Sequence, residues 1–255
     1  LQDGKQIGAI AYAVAGPVQD HKIIDLLPNL AGWPPHVDLV QLTSQKSSLP
    51  AIVFNDMEAA VYGMAYLLGK ENWQGPFWGI TWSSGIGGRF WDGQKIITDS
   101  EIGHLVLDIS KQAPPCGCGK KGHVESLIGG KALERRLKKE FASQIKTAHP
   151  LETATHAYQQ KEEWAINFYK EVAQLMGIFL ANLVQVNPTK LICFKGTLAK
   201  NALELTGIKE EILKTIKEKV ISSSWEVDEI RFSPDEEKDS LLGAALLAQK
   251  ILKLE

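Results

Sequence analysis

Apolar residues along this chain fall into short runs separated by segments in which they recur at every third or fourth position, an alternation that predicts an α/β fold. The strand-like runs are 6–14, 22–27, 51–54, 77–82, 190–194 and 229–232. In the first of them Ile7, Ala9, Ala11 and Ala13 alternate with further apolar residues. Between 162 and 186, Trp164, Phe168, Val172, Leu175, Phe179, Leu183 and Val186 lie three or four apart, which is one face of a long helix. Asn187-Pro188 ends it, because proline pushes the residue before it out of helical geometry. A final helical pattern covers 240–254, where Gly243-Ala244-Ala245 forms a small-residue face that permits close approach of another backbone. Asn55-Asp56 closes the short strand 51–54 and opens a helix over 57–68, whose acidic start suits the positive end of a helix dipole. Asp56 thus stands where a strand hands over to a helix.

Composition narrows the class of ligand. With 255 residues, 44% hydrophobic and 23% charged, the chain is in the ordinary range for one or two globular domains. The formal charge is −2, with Lys and Arg spread among Asp and Glu, so no basic field argues for nucleic acid. No window is long and apolar enough for a membrane-spanning helix, and residues 1–5 are not laid out as a signal peptide. A cytoplasmic protein binding small neutral or phosphorylated ligands, with no membrane and no nucleic-acid partner, is expected.

Cysteine usage changes that picture in one place. There are three cysteines, two of them in Cys116-Gly117-Cys118, too close together for a disulfide framework and well placed for a metal. Cys193, within an apolar run, reads as a buried inert thiol. Zinc accepts thiolate and imidazole in any mixture, so Cys116 and Cys118 can wrap one ion, His123 can close the knuckle, and His104 can come from a preceding strand. The plainer alternative is two structural thiols beside exposed histidines. A second feature is Ser83-Ser84-Gly85-Ile86-Gly87-Gly88, between the strand 77–82 and a further strand-like run at 89–97. Glycines at such a hairpin allow positive φ, so that backbone N–H groups converge on phosphate oxygens, with the two serine hydroxyls as extra donors. A glycine-rich turn with no ligand is the competing reading.

Several elements occur in order: Ala15-Gly16-Pro17-Val18, Pro28-Asn29-Leu30, Asn55-Asp56, Ser84-Gly85-Ile86-Gly87-Gly88, Glu101-Ile102-Gly103-His104, Cys116-Gly117-Cys118-Gly119 with Gly122 and Glu125, and Leu242-Gly243-Ala244-Ala245. The ordered set resembles the signature of the ROK family (repressors, open reading frames and kinases), and it spans nearly the whole chain. The resemblance implies an actin-like ATPase (ribonuclease H-like) two-lobed α/β fold whose first lobe is incomplete. The remainder of the N-terminal lobe would be 1–75, the C-terminal lobe with its zinc knuckle 76–239, and the helix in 240–255 would return to the N-terminal lobe. It implies ATP-dependent phosphorylation of a hexose, glucokinase-like, with Asp56 as general base. Asn29 and Asn55 would hold neighbouring hydroxyls, and Glu101, His104 and Glu125 would contact the sugar from the other lobe. His104 would serve both the sugar and a structural zinc held with Cys116, Cys118 and His123. Ser83, Ser84, Gly85, Gly87, Gly88, Gly196 and Thr197 would surround ATP, whose oxygens Mg2+ bridges. A homodimer is implied as well.

Three departures from the family pattern stand out. Its Asp-x-Gly-Gly-Thr phosphate loop is missing, and a segment ahead of residue 1 is expected to carry it. His123 replaces a third cysteine, which keeps tetrahedral coordination with a less negative site. Lys195 and Arg89 stand where small residues are common and would place cations near the phosphate path. Besides a glucokinase, the residues admit an N-acetylated amino sugar kinase, a non-catalytic sugar-binding member of the family, or an α/β domain whose zinc knuckle only holds the fold. No helix-turn-helix pattern is found in the 255 residues.

Overall fold

The structure, a computed structural model, describes residues 7–25, 32–97 and 100–254. The expectations for Asn29 and its neighbours fall outside these residues. The chain divides into two compact units, one of residues 1–74, 93–96 and 233–255, the other of 75–92 and 97–232.

The first unit opens with β1 (Ile10–Val14), followed by a small antiparallel ribbon of β2 (Val18–Gln19), β3 (Ile23–Ile24) and β4 (Val37–Asp38). Asp38 caps the short α1 (Leu39–Ser44) by accepting the Gln41 N–H at 2.7 Å. Next comes β5 (Ala51–Asn55), parallel to β1 with Ile10 opposite Ala51 and Val14 opposite Asn55, and it runs directly into α2 (Asp56–Lys70). Among the described residues, the strand expected from residue 6 starts at Ile10, because its partner starts at Ala51; the Ile10 N–H bonds the Pro50 carbonyl at 2.9 Å. The run 22–27 is likewise paired only at Ile23 and Ile24, since β4 offers two residues; its last two positions are outside the described residues.

The second unit is built on β6 (Phe77–Trp82) and β7 (Ile86–Trp91), an antiparallel hairpin with a three-residue turn. The expected strand at 89–97 therefore begins earlier and ends sooner, and Gly87 and Gly88 lie inside the ladder opposite Thr81 and Ile80. Helices α3 (Val124–Ile128), α4 (Gly130–Glu140), α5 (Pro150–Gln159) and α6 (Glu163–Val186) follow. Then come β8 (Leu191–Lys195), α7 (Thr197–Leu203), α8 (Ile208–Lys219) and β9 (Glu229–Phe232), completing a sheet of order β7-β6-β8-β9 in which β6, β8 and β9 are parallel. The near-continuous apolar runs of β6 and β8 are what strands covered on both faces require. Of the seven residues on the periodic face of α6, Phe168, Val172, Phe179 and Leu183 are buried in the core, while Trp164 and Leu175 pack at its edge. Val186, at the frayed end of the helix, is 75% exposed. Gly177 brings α6 against α8: a Cβ there would lie 2.5 Å from Cβ of Thr215.

The chain ends in the first unit with α9 (Asp239–Leu252), packed on α2. Backbones touch at two glycines, since a Cβ on Gly243 would sit 1.8 Å from the Ala59 carbonyl oxygen and one on Gly63 would sit 1.9 Å from that of Asp239.

Candidate functional site

In open α/β sheets ligands gather at the carboxyl ends of parallel strands. Candidate residues sit at three such ends: Asn55-Asp56 after β5, Ser83-Ser84-Gly85 after β6, and Gly196-Thr197 after β8.

At the first of these, Asn55 has extended backbone and its Oδ1 accepts the N–H groups of Met57 (3.0 Å) and Glu58 (3.2 Å), while its Nδ2 donates to the Gly16 carbonyl at 3.0 Å. Asn55 is thus the cap of α2. Asp56, half-buried, is the first helical residue, with Oδ1 accepting the Met57 N–H at 2.9 Å. A carboxylate at this position suits the positive end of the helix dipole.

In the second unit, His104, Cys116, Cys118 and His123 bring one ligand atom each to within 4.8 Å of one another. His104 comes from a 3-10 turn, Ile102–His104, and not from a strand as expected. Within that turn Gly103 lies so close to the Ile86 carbonyl that a Cβ would be 2.1 Å from its oxygen. Nδ1 of His104 is 3.3 Å from Nδ1 of His123 and 3.5 Å from Sγ of Cys116, and Sγ of Cys118 is 3.3 Å from Nδ1 of His123. Tetrahedral bonds of about 2.0–2.1 Å to nitrogen and about 2.3 Å to sulfur give edges of about 3.3 Å between nitrogens and about 3.6 Å between nitrogen and sulfur. The donor set and its spacing fit one tetrahedral cation. Burial pushes the Cys116 thiol up, and the neighbouring Cys118 side chain adds to the rise, so a bound cation has protons to displace. Two positive-φ glycines, Gly119 and Gly122, shape the knuckle; at Gly122 a Cβ would also meet the Asp108 carbonyl oxygen at 1.8 Å.

His123 leads directly into α3, and Glu125 in its first turn reaches the β6–β7 turn. Oε2 of Glu125 accepts the Ile86 N–H at 3.1 Å and lies where a Gly85 Cβ would be, 2.2 Å away. The metal knuckle and the glycine turn are therefore joined through one carboxylate. Glu101, exposed, directly precedes the 3-10 turn.

That turn differs from the expected phosphate cradle. Gly85, Gly87 and Gly88 are not among the positive-φ residues. Gly85 makes room for Glu125, and Gly88 for Ile102, whose Cδ1 would be 2.6 Å from a Cβ. The N–H of Ser83 already donates to the Gly85 carbonyl at 3.0 Å, and the carbonyls of Ser83 and Ser84 accept the N–H groups of Gly130 (2.8 Å) and Lys131 (3.1 Å) at the start of α4. The turn can offer a ligand its serine side chains. Ser83 and Ser84 line a cavity of about 440 Å³ with Thr197, Lys131, Glu134 and Asn201, closed by His149, Leu151, Glu152 and Thr155 of the α5 region. Gly196 (φ 106°) brings β8 to this wall: a Cβ would be 2.5 Å from the Trp82 carbonyl oxygen.

Sequence reasoning missed the α4 and α5 walls of the cavity, although Gly129-Gly130-Lys131 at a helix start was a usable signal. Arg89 was expected near phosphate. It is instead buried, bonding the carbonyls of Gly88 (3.0 Å) and Ser100.

Comparison with known proteins places this arrangement. The structure is similar to the ROK hexokinase of Thermus thermophilus, with a TM-score of 0.78 at 26% identity over 96% of this chain and 80% of that one. It is also similar to the ROK glucokinase of Streptomyces griseus, solved with glucose and AMPPNP, with a TM-score of 0.75 at 24% identity over 98% and 84% of the two chains. The class is the sugar kinases of actin-like ATPase fold. The N-acetylmannosamine kinase of Escherichia coli (strain SMS-3-5 / SECEC) is 28% identical over 247 residues, which is 94% of this chain and 79% of that protein. The ROK family model matches residues 1–251, and the chain belongs to the ROK family.

Proposed function

We propose that this protein phosphorylates a hexose hydroxyl at the expense of ATP, with Asp56 as general base. The observation that carries the reading is the placement of Asn55-Asp56, Ser83-Ser84 and Gly196-Thr197 at the carboxyl ends of parallel strands. Asn55 is the cap of α2, so capping alone does not call for the carboxylate of Asp56, which shares only the Met57 N–H. The Asp56 carboxylate accepts the proton of the attacking hydroxyl, which is otherwise a poor nucleophile at neutral pH. Glu101, Glu125 and the Nε2 edge of His104 read the other hydroxyls, with Asn29 and Asn55 assigned to the same task through the family resemblance. Nδ1 of His104, Cys116, Cys118 and His123 hold a structural zinc that fixes the loop leading to Glu125. The side chains of Ser83, Ser84, Thr197 and Lys131 face the nucleotide across the 440 Å³ cavity, of a size ordinary for such ligands. ATP, with Mg2+, supplies the phosphoryl group.

Glucose is the first substrate on this reading. N-acetylmannosamine is the second, favoured by the relatives of that activity among curated proteins. A coupled phosphorylation assay of the full-length polypeptide over glucose, mannose, N-acetylglucosamine and N-acetylmannosamine tests both. Sugar binding without turnover would replace the kinase with a sensor; neither binding nor turnover would overturn the reading.

A further inference from the structure

We propose that Arg89 is a positioning residue for the sugar-reading loop, acting through the Ser100 carbonyl on Glu101 and His104. The inference rests on the assignment of Glu101 and His104 as sugar contacts. Arg89 lies in the middle of β7, 5% exposed, and its Nη1 donates both to the Gly88 carbonyl at 3.0 Å and to the Ser100 carbonyl. The returning chain is fastened along β7 at further points. Ile97 N–H bonds the Phe90 carbonyl at 3.1 Å, Ser100 Oγ donates to the Gly88 carbonyl at 3.4 Å, Ile102 fills the space above Gly88, and Gly103 abuts the Ile86 carbonyl. Within this set the guanidinium is the charged member, and it grips the backbone one residue before Glu101 and four before His104.

The residue type suits the task. A guanidinium is rigid and planar, so one nitrogen, Nη1 with its two N–H groups, can aim at two carbonyls in fixed directions, and burial strengthens bonds that water would otherwise compete for. A lysine could satisfy the same carbonyls only as a flexible point donor. Losing the guanidinium takes one donor from the buried Gly88 carbonyl and one from the part-buried Ser100 carbonyl, and frees the Ser100 segment to shift. A shift there moves Glu101 and the His104 ring together, and so reaches both the sugar contacts and the metal cluster directly, whereas none of these residues lines the 440 Å³ cavity. The effect is therefore selective. Partners that orient a ligand-bearing group typically change affinity or activity by about 10–100-fold when removed.

The test compares Arg89→Met, close in volume without donors, with Arg89→Lys and the unaltered protein, all full length. For Arg89→Met the expected result is a sugar KM raised by about tenfold or more with the ATP KM within about twofold, together with faster amide exchange at 100–104 and faster zinc release to a chelator. Arg89→Lys should recover part of each. Equal changes in the sugar and ATP constants, or exchange and zinc release unchanged in a variant that keeps its fold by circular dichroism, would overturn the proposal. Should the unaltered protein bind no sugar, the kinase reading falls, and exchange and zinc release still report whether Arg89 holds the loop. If Arg89→Met does not fold, Arg89→Lys carries the same comparison.

Discussion

At the residue scale, Asn55 and Asp56 are adjacent and do different things. The amide of Asn55 bonds Met57, Glu58 and Gly16, so its loss costs stability whatever it also does for the sugar. Asn55→Ala should cost about 1 kcal/mol, the usual worth of a cap, and lower the melting temperature by about 2–4 °C. Asp56→Asn should leave melting nearly unchanged and cut turnover by about a hundred to ten thousand fold, the usual contribution of a positioned base. Sugar affinity should fall much less, because an amide still bonds a hydroxyl. Melting curves and the coupled assay on both variants separate these outcomes, and near-normal turnover of Asp56→Asn would end the catalytic assignment.

At the scale of elements, the knuckle, α3 and the β6–β7 turn form one assembly joined at Glu125. We expect one zinc per chain by metal analysis of protein purified without chelator; finding none would remove the metal from the site. Stripping it should loosen residues 104–125 in hydrogen exchange and weaken sugar binding more than ATP binding, as two titrations would show. Much of this was legible beforehand. The strands Phe77–Trp82 and Glu229–Phe232 and the long helix stand where the apolar pattern put them, because burial on both faces or on one stripe writes itself into the sequence. The four metal-ligand candidates were readable from residue type and spacing. The fate of Arg89 was not, since an arginine after two glycines reads the same whether it faces a phosphate or turns inward to two carbonyls. Nor were the jobs of Gly85 and Gly88, which answer to Glu125 and Ile102, 40 and 14 residues further along. Close approach between distant segments leaves no local periodicity to detect.

At the scale of the whole molecule, stability of the first unit depends on how closely α2 and α9 meet. Gly243→Ala would place a methyl 1.8 Å from the Ala59 oxygen, and forcing the helices apart should cost about 1–3 kcal/mol. Gly69→Ala, on the same helix α2 but with nothing within 4 Å of the new methyl, should stabilise by about 0.4–1 kcal/mol. Urea midpoints of the pair test the contrast. The homodimer suggested by the family resemblance is a proposal of the same scale, and sedimentation giving a monomer at every concentration would overturn it. The α2–α9 contact also bears on the order in which the protein can be made. The helix that carries Asp56 leaves the ribosome before its packing partner, which is translated only after residues 97–232 of the other unit. At about 5–20 residues per second, that interval is on the order of ten seconds. Through it the apolar face of α2 waits uncovered while the metal-bearing unit can already fold, so nascent chains stalled before Asp239 should be the ones that chaperones hold and proteases find.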